Sequence, residues 1–148
     1  MAEVELTLIE QDLDLQVYTG ANAILQDALA GTLEYYKVIG FNLPWVSYLA
    51  KSEGEYVGCC SFKGRPANNK VEIAYFTFPP FEGRGVATEM CRQLTVLALM
   101  QETNIIVTAR TLPEENASTA VLKKNGYTLS GTVNDPDDGE VFEWVYAD

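Results

Sequence analysis

Two adjacent prolines and a turn punctuated by glycine divide the stretch Val71 to Met100, VEIAYFTFPPFEGRGVATEMCRQLTVLALM, into halves of different secondary structure. Glu72 to Phe78 is aromatic and apolar enough for a strand, and Pro79 and Pro80, lacking N–H groups, end the ladder. In the loop Phe81 to Gly85, the two glycines can take backbone angles closed to other residues and so let main-chain N–H groups approach a ligand. Val86, Met90, Leu94, Leu97 and Ala98 then recur at the spacing of one buried helix face. The loop therefore opens onto a helix N-terminus, whose free N–H groups and dipole favour phosphate, with Arg84 adding a full positive charge.

Two better-known phosphate motifs fail on this stretch. The P-loop needs Gly-Lys-Ser/Thr, and Gly85 is followed by Val86. The dinucleotide fingerprint needs a small residue where Thr88 stands and an acidic ribose contact where Arg110 stands. What remains is a pyrophosphate held by backbone donors without a metal. The pattern FEGRGVATEM resembles the coenzyme A loop of the GNAT acetyltransferases, Gln/Arg-x-x-Gly-x-Gly/Ala, with Glu82, Gly83, Arg84, Gly85, Val86 and Ala87 in its six positions. TLPEENASTAVLKKNGY, Thr111 to Tyr127, resembles that family's next helix and following strand. The resemblance runs from Val71 to Val133 and is nearest to the subgroup resembling ribosomal-protein alanine acetyltransferases.

At 148 residues the chain reads as one domain, 1–148, long enough to bury a core. An apolar share of 47% with 21% charged residues excludes disordered and fibrous classes. No segment has membrane-spanning length, and MAEVELTLIEQ lacks the basic start and apolar core of a secretion signal, so a cytoplasmic location is expected. Cys59, Cys60 and Cys91, odd in number, fit a reduced compartment. The net charge of −11 disfavours nucleic acid and anionic membranes as partners. It either suits a cationic substrate or only keeps the protein soluble. The absence of histidine removes His triads, His metal sites and His bases, leaving carboxylates, tyrosines, serines and cysteines.

Along the chain, Val4 to Tyr18 alternates apolar and acidic residues as one or two strands with Leu6, Leu8, Leu13, Leu15 and Val17 inward, closed by Gly20. Asn22 to Ala30 predicts a short helix. Beyond Gly31, the aromatic-rich TLEYYKVIGFNLPW turns irregular at Gly40, Asn42 and Pro44. Its Tyr35, Tyr36, Phe41 and Trp45 either wall a substrate pocket or lie as core aromatics under a loop. Val46 to Ala50 and Tyr56 to Phe62 form a hairpin around KSEGE. Ile105 to Ala109 reads as a strand buried on both faces, parallel to the strand before the glycine loop and reached by a right-handed crossover. Pro113 begins a helix with Glu114 and Glu115 in its first turn, Lys123 and Lys124 in its last, and Gly126 as its stop. Tyr127 to Val133 and Val141 to Tyr146 form a hairpin around NDPDDGE.

Periodicity thus gives an α/β fold, a mixed sheet with helices on both faces. The family resemblance implies more: six or seven mostly antiparallel strands with a parallel central pair, splayed between Glu72–Phe78 and Ile105–Ala109, and a pantetheine arm in the splay. It implies acetyl-CoA as cosubstrate, with no metal, held by the turn residues Gly83, Arg84, Gly85, Val86, Ala87 and Thr88. Backbone groups of Phe76, Thr77 and Phe78 would meet the pantetheine arm, and Asn116 would touch it from the next helix. Many relatives carry that asparagine one residue earlier, at Glu115 here, and Glu82 departs from the usual Gln or Arg.

The implied reaction is direct attack of a primary amine, on a small molecule or a protein N-terminus, upon the thioester in a ternary complex. An amine of pKa about 10.4 then gains roughly two to four orders of magnitude from a base. Glu72 stands near the position of the family's glutamate base, acting through a water; as a residue it also reads as a solvated strand-end carboxylate. A backbone N–H near Phe76 or Thr77 would meet the oxyanion. Many members protonate the thiolate from a tyrosine where this chain has Leu122. Ser118 is then the next acid candidate or simply a helix-start residue bonding the backbone, while Tyr127 reads as a core ring. Cys91 lacks an activating neighbour. The expected partner is a cationic amine, and the expected state is monomer or homodimer. The alternatives are an inactive acyl-CoA-binding sensor or scaffold, motivated by Leu122, Glu82 and the missing histidines, and a pocket for some other anion.

Overall fold

The computed structural model describes residues 3–18 and 22–147; Gly20 lies outside them. Alternating side chains and turn residues build seven strands among the described residues: β1 (Glu5–Leu8), β2 (Ser47–Ser52), β3 (Glu55–Phe62), β4 (Lys70–Thr77), β5 (Ile106–Thr111), β6 (Tyr127–Asp135) and β7 (Gly139–Tyr146). They form one sheet in the order β1-β2-β3-β4-β5-β7-β6. Only β4 and β5 pair in parallel; every other pair is antiparallel. Three helices, α1 (Ala23–Ile39), α2 (Val86–Gln101) and α3 (Ala117–Lys124), cover it. None is long and apolar enough to cross a membrane, among the described residues.

The sheet's two-residue period divides the core. Leu49, Cys59 and Phe76 stand in register on one face, where Leu25, Leu29 and Tyr36 of α1 pack with Val46 and Phe78. Cys60 and Tyr75 stand in register on the other, where Val86, Met90, Cys91, Leu94 and Ala98 of α2 and Leu122 of α3 pack with Phe62, Ile73, Val107 and Trp144.

Four expectations need correction. The N-terminal segment makes only the short edge strand β1, with Val4 and Ile9 buried at its ends. Leu15 and Val17 are 38% and 74% exposed, because Asp14 accepts from the Gln16 N–H at 2.9 Å and opens a 3-10 turn over Leu15–Tyr18. Helix α1 does not stop before Gly31. It is capped by Asn22, which accepts from the Leu25 N–H at 2.8 Å, and continues until Gly40 with φ 85°. Burial of Leu25, Leu29 and Tyr36 along one face outweighs the propensity of a single exposed glycine.

Helix α3 starts at Ala117, not near Pro113. Asn116 accepts from the Thr119 N–H at 3.1 Å, and Thr119 Oγ1 accepts from the Asn116 N–H at 3.0 Å, a reciprocal cap that leaves Glu114 and Glu115 before the helix. Finally, β5 is buried on both faces only over Val107 to Ala109; Ile106 at its start is exposed.

Candidate active site

Parallel pairing of β4 with β5 runs from Lys70↔Ile106 to Ile73↔Ala109 and then ceases, although β4 continues to Thr77 and β5 to Thr111. Beyond that point β5 is paired only to β7, so the sheet is open between β4 and β5 at their C-terminal ends. Pro79 to Phe81 turns the chain away, and Gly83 and Gly85, with φ 79° and 81°, aim the turn into the α2 N-terminus. A cleft of about 600 Å³ results. Its walls are Tyr75, Phe76 and Thr77 of β4, Glu82, Gly83 and Gly85 of the turn with Val86, Ala87 and Thr88 of α2, and Ala117, Ser118, Val121 and Lys124 of α3.

An acyl-CoA fits this cleft on two observations. Thr77 Oγ1 is buried with no hydrogen-bond partner among the described residues, and Thr77 lines the cleft wall. A neutral pantetheine amide would supply the missing partner. Gly83, Gly85, Val86, Ala87 and Thr88 all line the cleft beside the helix N-terminus, where a diphosphate is favoured.

The side chains of three expected cofactor residues stand elsewhere. The Arg84 guanidinium lies over the Phe81 ring at 5.4 Å and lines a separate depression beside β1, on the other side of the turn. Phe78 is buried in the α1-side core, its N–H donating to the Val57 carbonyl at 2.9 Å and its carbonyl accepting from the Phe81 N–H at 2.8 Å. Both backbone groups are thus engaged. Asn116 is occupied as the α3 cap and lines a second cavity rather than the cleft.

That second cavity, about 390 Å³, is lined by Lys63, Arg110, Asp135, Asp138, Asn116 and Ser118, among others. Among the described residues, Ser118 is the one lining both it and the cleft. Glu72 stands opposite Thr108, one pair before the splay opens. It is not a solvated carboxylate. Its side chain is 18% exposed, with Lys63 Nζ at 2.9 Å from one oxygen and Arg110 Nε at 3.6 Å from the other. Arg110 also pairs with Asp135 at 3.0 Å and Glu143 at 3.4 Å.

The network has electrostatic consequences. Burial pushes the Lys63 ammonium down, but its hydrogen bond and charge pairing with Glu72 win and hold it above the ordinary lysine value. Asp135 is held below the ordinary aspartate value by the Asp137 backbone N–H first and by Arg110 next. Burial raises the Tyr35 phenol, with the Lys63 charge opposing and Glu72 and Asp137 assisting.

Tyr35 is therefore the one of the four expected pocket aromatics that shares the surroundings of Glu72. Tyr36 is a core strut, its hydroxyl donating to the Ile9 carbonyl and accepting from the Ser47 N–H, both at 2.9 Å. Phe41 packs edge-on against Tyr36, and Trp45 against Phe62 in the opposite core. For these three, the core-aromatic alternative is the one the fold realises.

Leu122 is fully buried, and the Tyr127 hydroxyl lies 2.6 Å from Thr95 Oγ1, sealed between β6 and α2. Burial pushes Cys59 up to about 11 and Cys91 up to about 12, so neither thiol is a nucleophile at neutral pH. No cluster of three His, Cys, Asp or Glu residues suited to a metal occurs among the described residues.

Lys124 and Tyr75 are among the cleft residues that sequence reasoning missed, with Ala117, Ala120 and Val121. Lys124 reads as a dipole-complementing helix end but also lines the cleft. Tyr75 precedes Phe76 and Thr77, and the strand period alone puts it on the face of α2 and α3.

A family model for an acetyltransferase (GNAT) domain matches residues 10–128. Among solved structures, the apo ribosomal alpha-N-protein acetyltransferase RimL superposes with TM-score 0.69 at 19% identity, over 96% of this chain and 91% of that one. The aminoglycoside acetyltransferase AAC(6')-Ib in complex with coenzyme A and kanamycin superposes with TM-score 0.71 at 19% identity, over 97% and 94%. An acetyl transferase from Salmonella typhimurium, which modifies the N-terminal serine of a ribosomal subunit protein, gives TM-score 0.67 at 16% identity, over 98% and 95%. No curated protein matches the sequence. At these identities the structures speak for the fold, while the family model spans most of the sequence: the chain belongs to the GNAT acetyltransferases, acetyl-CoA-dependent N-acetyltransferases.

Proposed function

We propose that the chain transfers the acetyl group of acetyl-CoA to a cationic primary amine, on a small molecule or a protein N-terminus, by direct attack in a ternary complex. The observation that carries this reading is the place of Ser118, shared by the cleft beside the glycine turn and the charged cavity under the β6–β7 hairpin. Acyl donor and amine would converge there. Asp135 and Asp138 line that cavity beside Lys63 and Arg110, offering carboxylates to an ammonium, and both RimL and AAC(6')-Ib, by their names, act on amines of these two kinds.

When bound, acetyl-CoA supplies a thioester carbonyl activated toward nucleophiles. Main-chain N–H groups from Gly83 to Ala87 hold its diphosphate, and the unpartnered Thr77 hydroxyl takes a polar group of the pantetheine arm. Glu72 receives the ammonium proton through a water, with Lys63 and Arg110 fixing its carboxylate in place. The gain from such a base is roughly 10²- to 10⁴-fold. Convergence of the two cavities supplies orientation in addition.

The test is release of free thiol from acetyl-CoA across a panel containing kanamycin, short peptides with free N-termini and neutral primary amines. Turnover with the cationic members is expected. Acetyl-CoA binding without turnover on any amine would favour the inactive acyl-CoA-binding module, a reading that the doubly paired Glu72 and the sealed Leu122 support. Absence of acetyl-CoA binding would overturn both.

A further inference from the structure

The departing sulfur needs a donor, and of the acid candidates that the sequence offers only Ser118 lines the cleft. Leu122 has no proton to give, the Tyr127 hydroxyl is held by Thr95, and the buried thiols lie away from the cleft lining. One phenol does stand in the cleft. Tyr75 sits two residues past Ile73, the last β4 residue paired with β5, so it belongs to the part of the strand that walls the opening. Its ring is packed against the α2-side core, and its hydroxyl reaches α3, donating to the Ser118 carbonyl at 3.2 Å. That is long for an O–H···O bond, whose usual separation is about 2.7–2.8 Å, so a better acceptor displaces it readily.

We infer that the Tyr75 hydroxyl donates the hydrogen bond that stabilises the coenzyme A thiolate as it leaves, a role for the acetyl transfer proposed above and dependent on it. As the C–N bond forms, the C–S bond breaks and its electron pair goes to sulfur, toward which the phenol turns. Burial, with the Cys91 charge assisting, raises the phenol above its ordinary value, so Tyr75 stays neutral and keeps its proton at neutral pH. It therefore acts by hydrogen bonding. The thiolate takes its proton from water on release, and the two protons lost by the ammonium pass through the base to solvent. The net change is ammonium plus thioester giving amide, thiol and one proton.

Tyr75→Phe separates this role from that of a strut between β4 and α3. With an amine that turns over, kcat should fall roughly 10- to 100-fold, the worth of one hydrogen bond to a charged group, with the KM for acetyl-CoA unchanged. With the acetyl selenoester of coenzyme A, whose selenolate needs no such help, the deficit should shrink to less than about threefold. A binding measurement needs no acceptor. Calorimetry should show the wild type preferring coenzyme A over desulfo-coenzyme A by roughly fivefold, and Tyr75→Phe binding the two alike. Equal deficits with both acyl donors, or an unchanged sulfur preference in the variant, overturns the inference while leaving acetyl transfer intact. Loss of coenzyme A binding by the wild type would instead remove the transferase reading itself.

Discussion

Glu72 shows how far one residue's surroundings decide its chemistry. A carboxylate between Lys63 and Arg110 is fixed in orientation, which suits a base acting through a water. Glu72→Gln should lower kcat by roughly 10²-fold while acetyl-CoA affinity stays within about twofold, measured by steady-state kinetics and calorimetry across pH. Full activity at every pH would remove Glu72 from the mechanism. Gly85 is constrained from the other side: it holds φ 81° at the entrance to α2 and lines the cleft where the proposed diphosphate would sit. Gly85→Asp should abolish acetyl-CoA binding, and an unchanged dissociation constant would detach the turn from the cofactor. Asp135 carries a pH dependence. Its value is depressed in the fold, so its stabilisation is present above the ordinary aspartate range and lost as pH falls through the folded value. On acidification from about pH 6 to about pH 3, Tm should fall further for the wild type than for Asp135→Asn. Glu72 enters as a candidate only through the family resemblance, and its burial between two cations is not written in the sequence around it. Nor is the network it joins, since Lys63, Arg110, Asp135 and Glu143 come from separate segments and leave no local pattern.

Elements with their own punctuation were readable and those without it were not. The prolines and glycines around β4 and α2 fix both boundaries to within a residue or two, whereas α1 was divided at Gly31 because propensity favours a break that tertiary burial overrules. An added Cβ at Gly31 meets nothing within 4 Å, and the position is exposed. Gly31→Ala should therefore raise stability by about 0.5–1 kcal/mol, read by denaturant unfolding at constant m-value; a loss would show strain in α1 that the packing does not reveal. The α3 boundary is obscured for the reverse reason: Pro113 and two glutamates imitate a helix start, while the actual cap is Asn116 with Thr119. Asn116→Ala should cost about 1 kcal/mol of stability and leave acetyl-CoA affinity unchanged, since that side chain caps α3 and faces the second cavity. A large loss of cofactor affinity would return Asn116 to the coenzyme site.

The whole molecule sets the electrostatic background against which these sites work. At a net charge of −11, the surface attracts a polycationic acceptor and repels the anionic cosubstrate, and local donors at the α2 N-terminus must overcome that repulsion. Both long-range terms are screened once the Debye length falls to about 10 Å near 0.1 M salt. They act with opposite sign, so raising the salt should raise the KM for a polyamine such as kanamycin and lower the KM for acetyl-CoA. A neutral primary amine run in parallel should show no acceptor trend. The separation matters because viscosity, stability or a general ion effect would move both constants together. If the two KM values shift in the same direction, or the polyamine and the neutral amine respond alike, the acidic surface serves solubility alone and the acceptor is chosen by the charged cavity beside Ser118 without help from the rest of the chain.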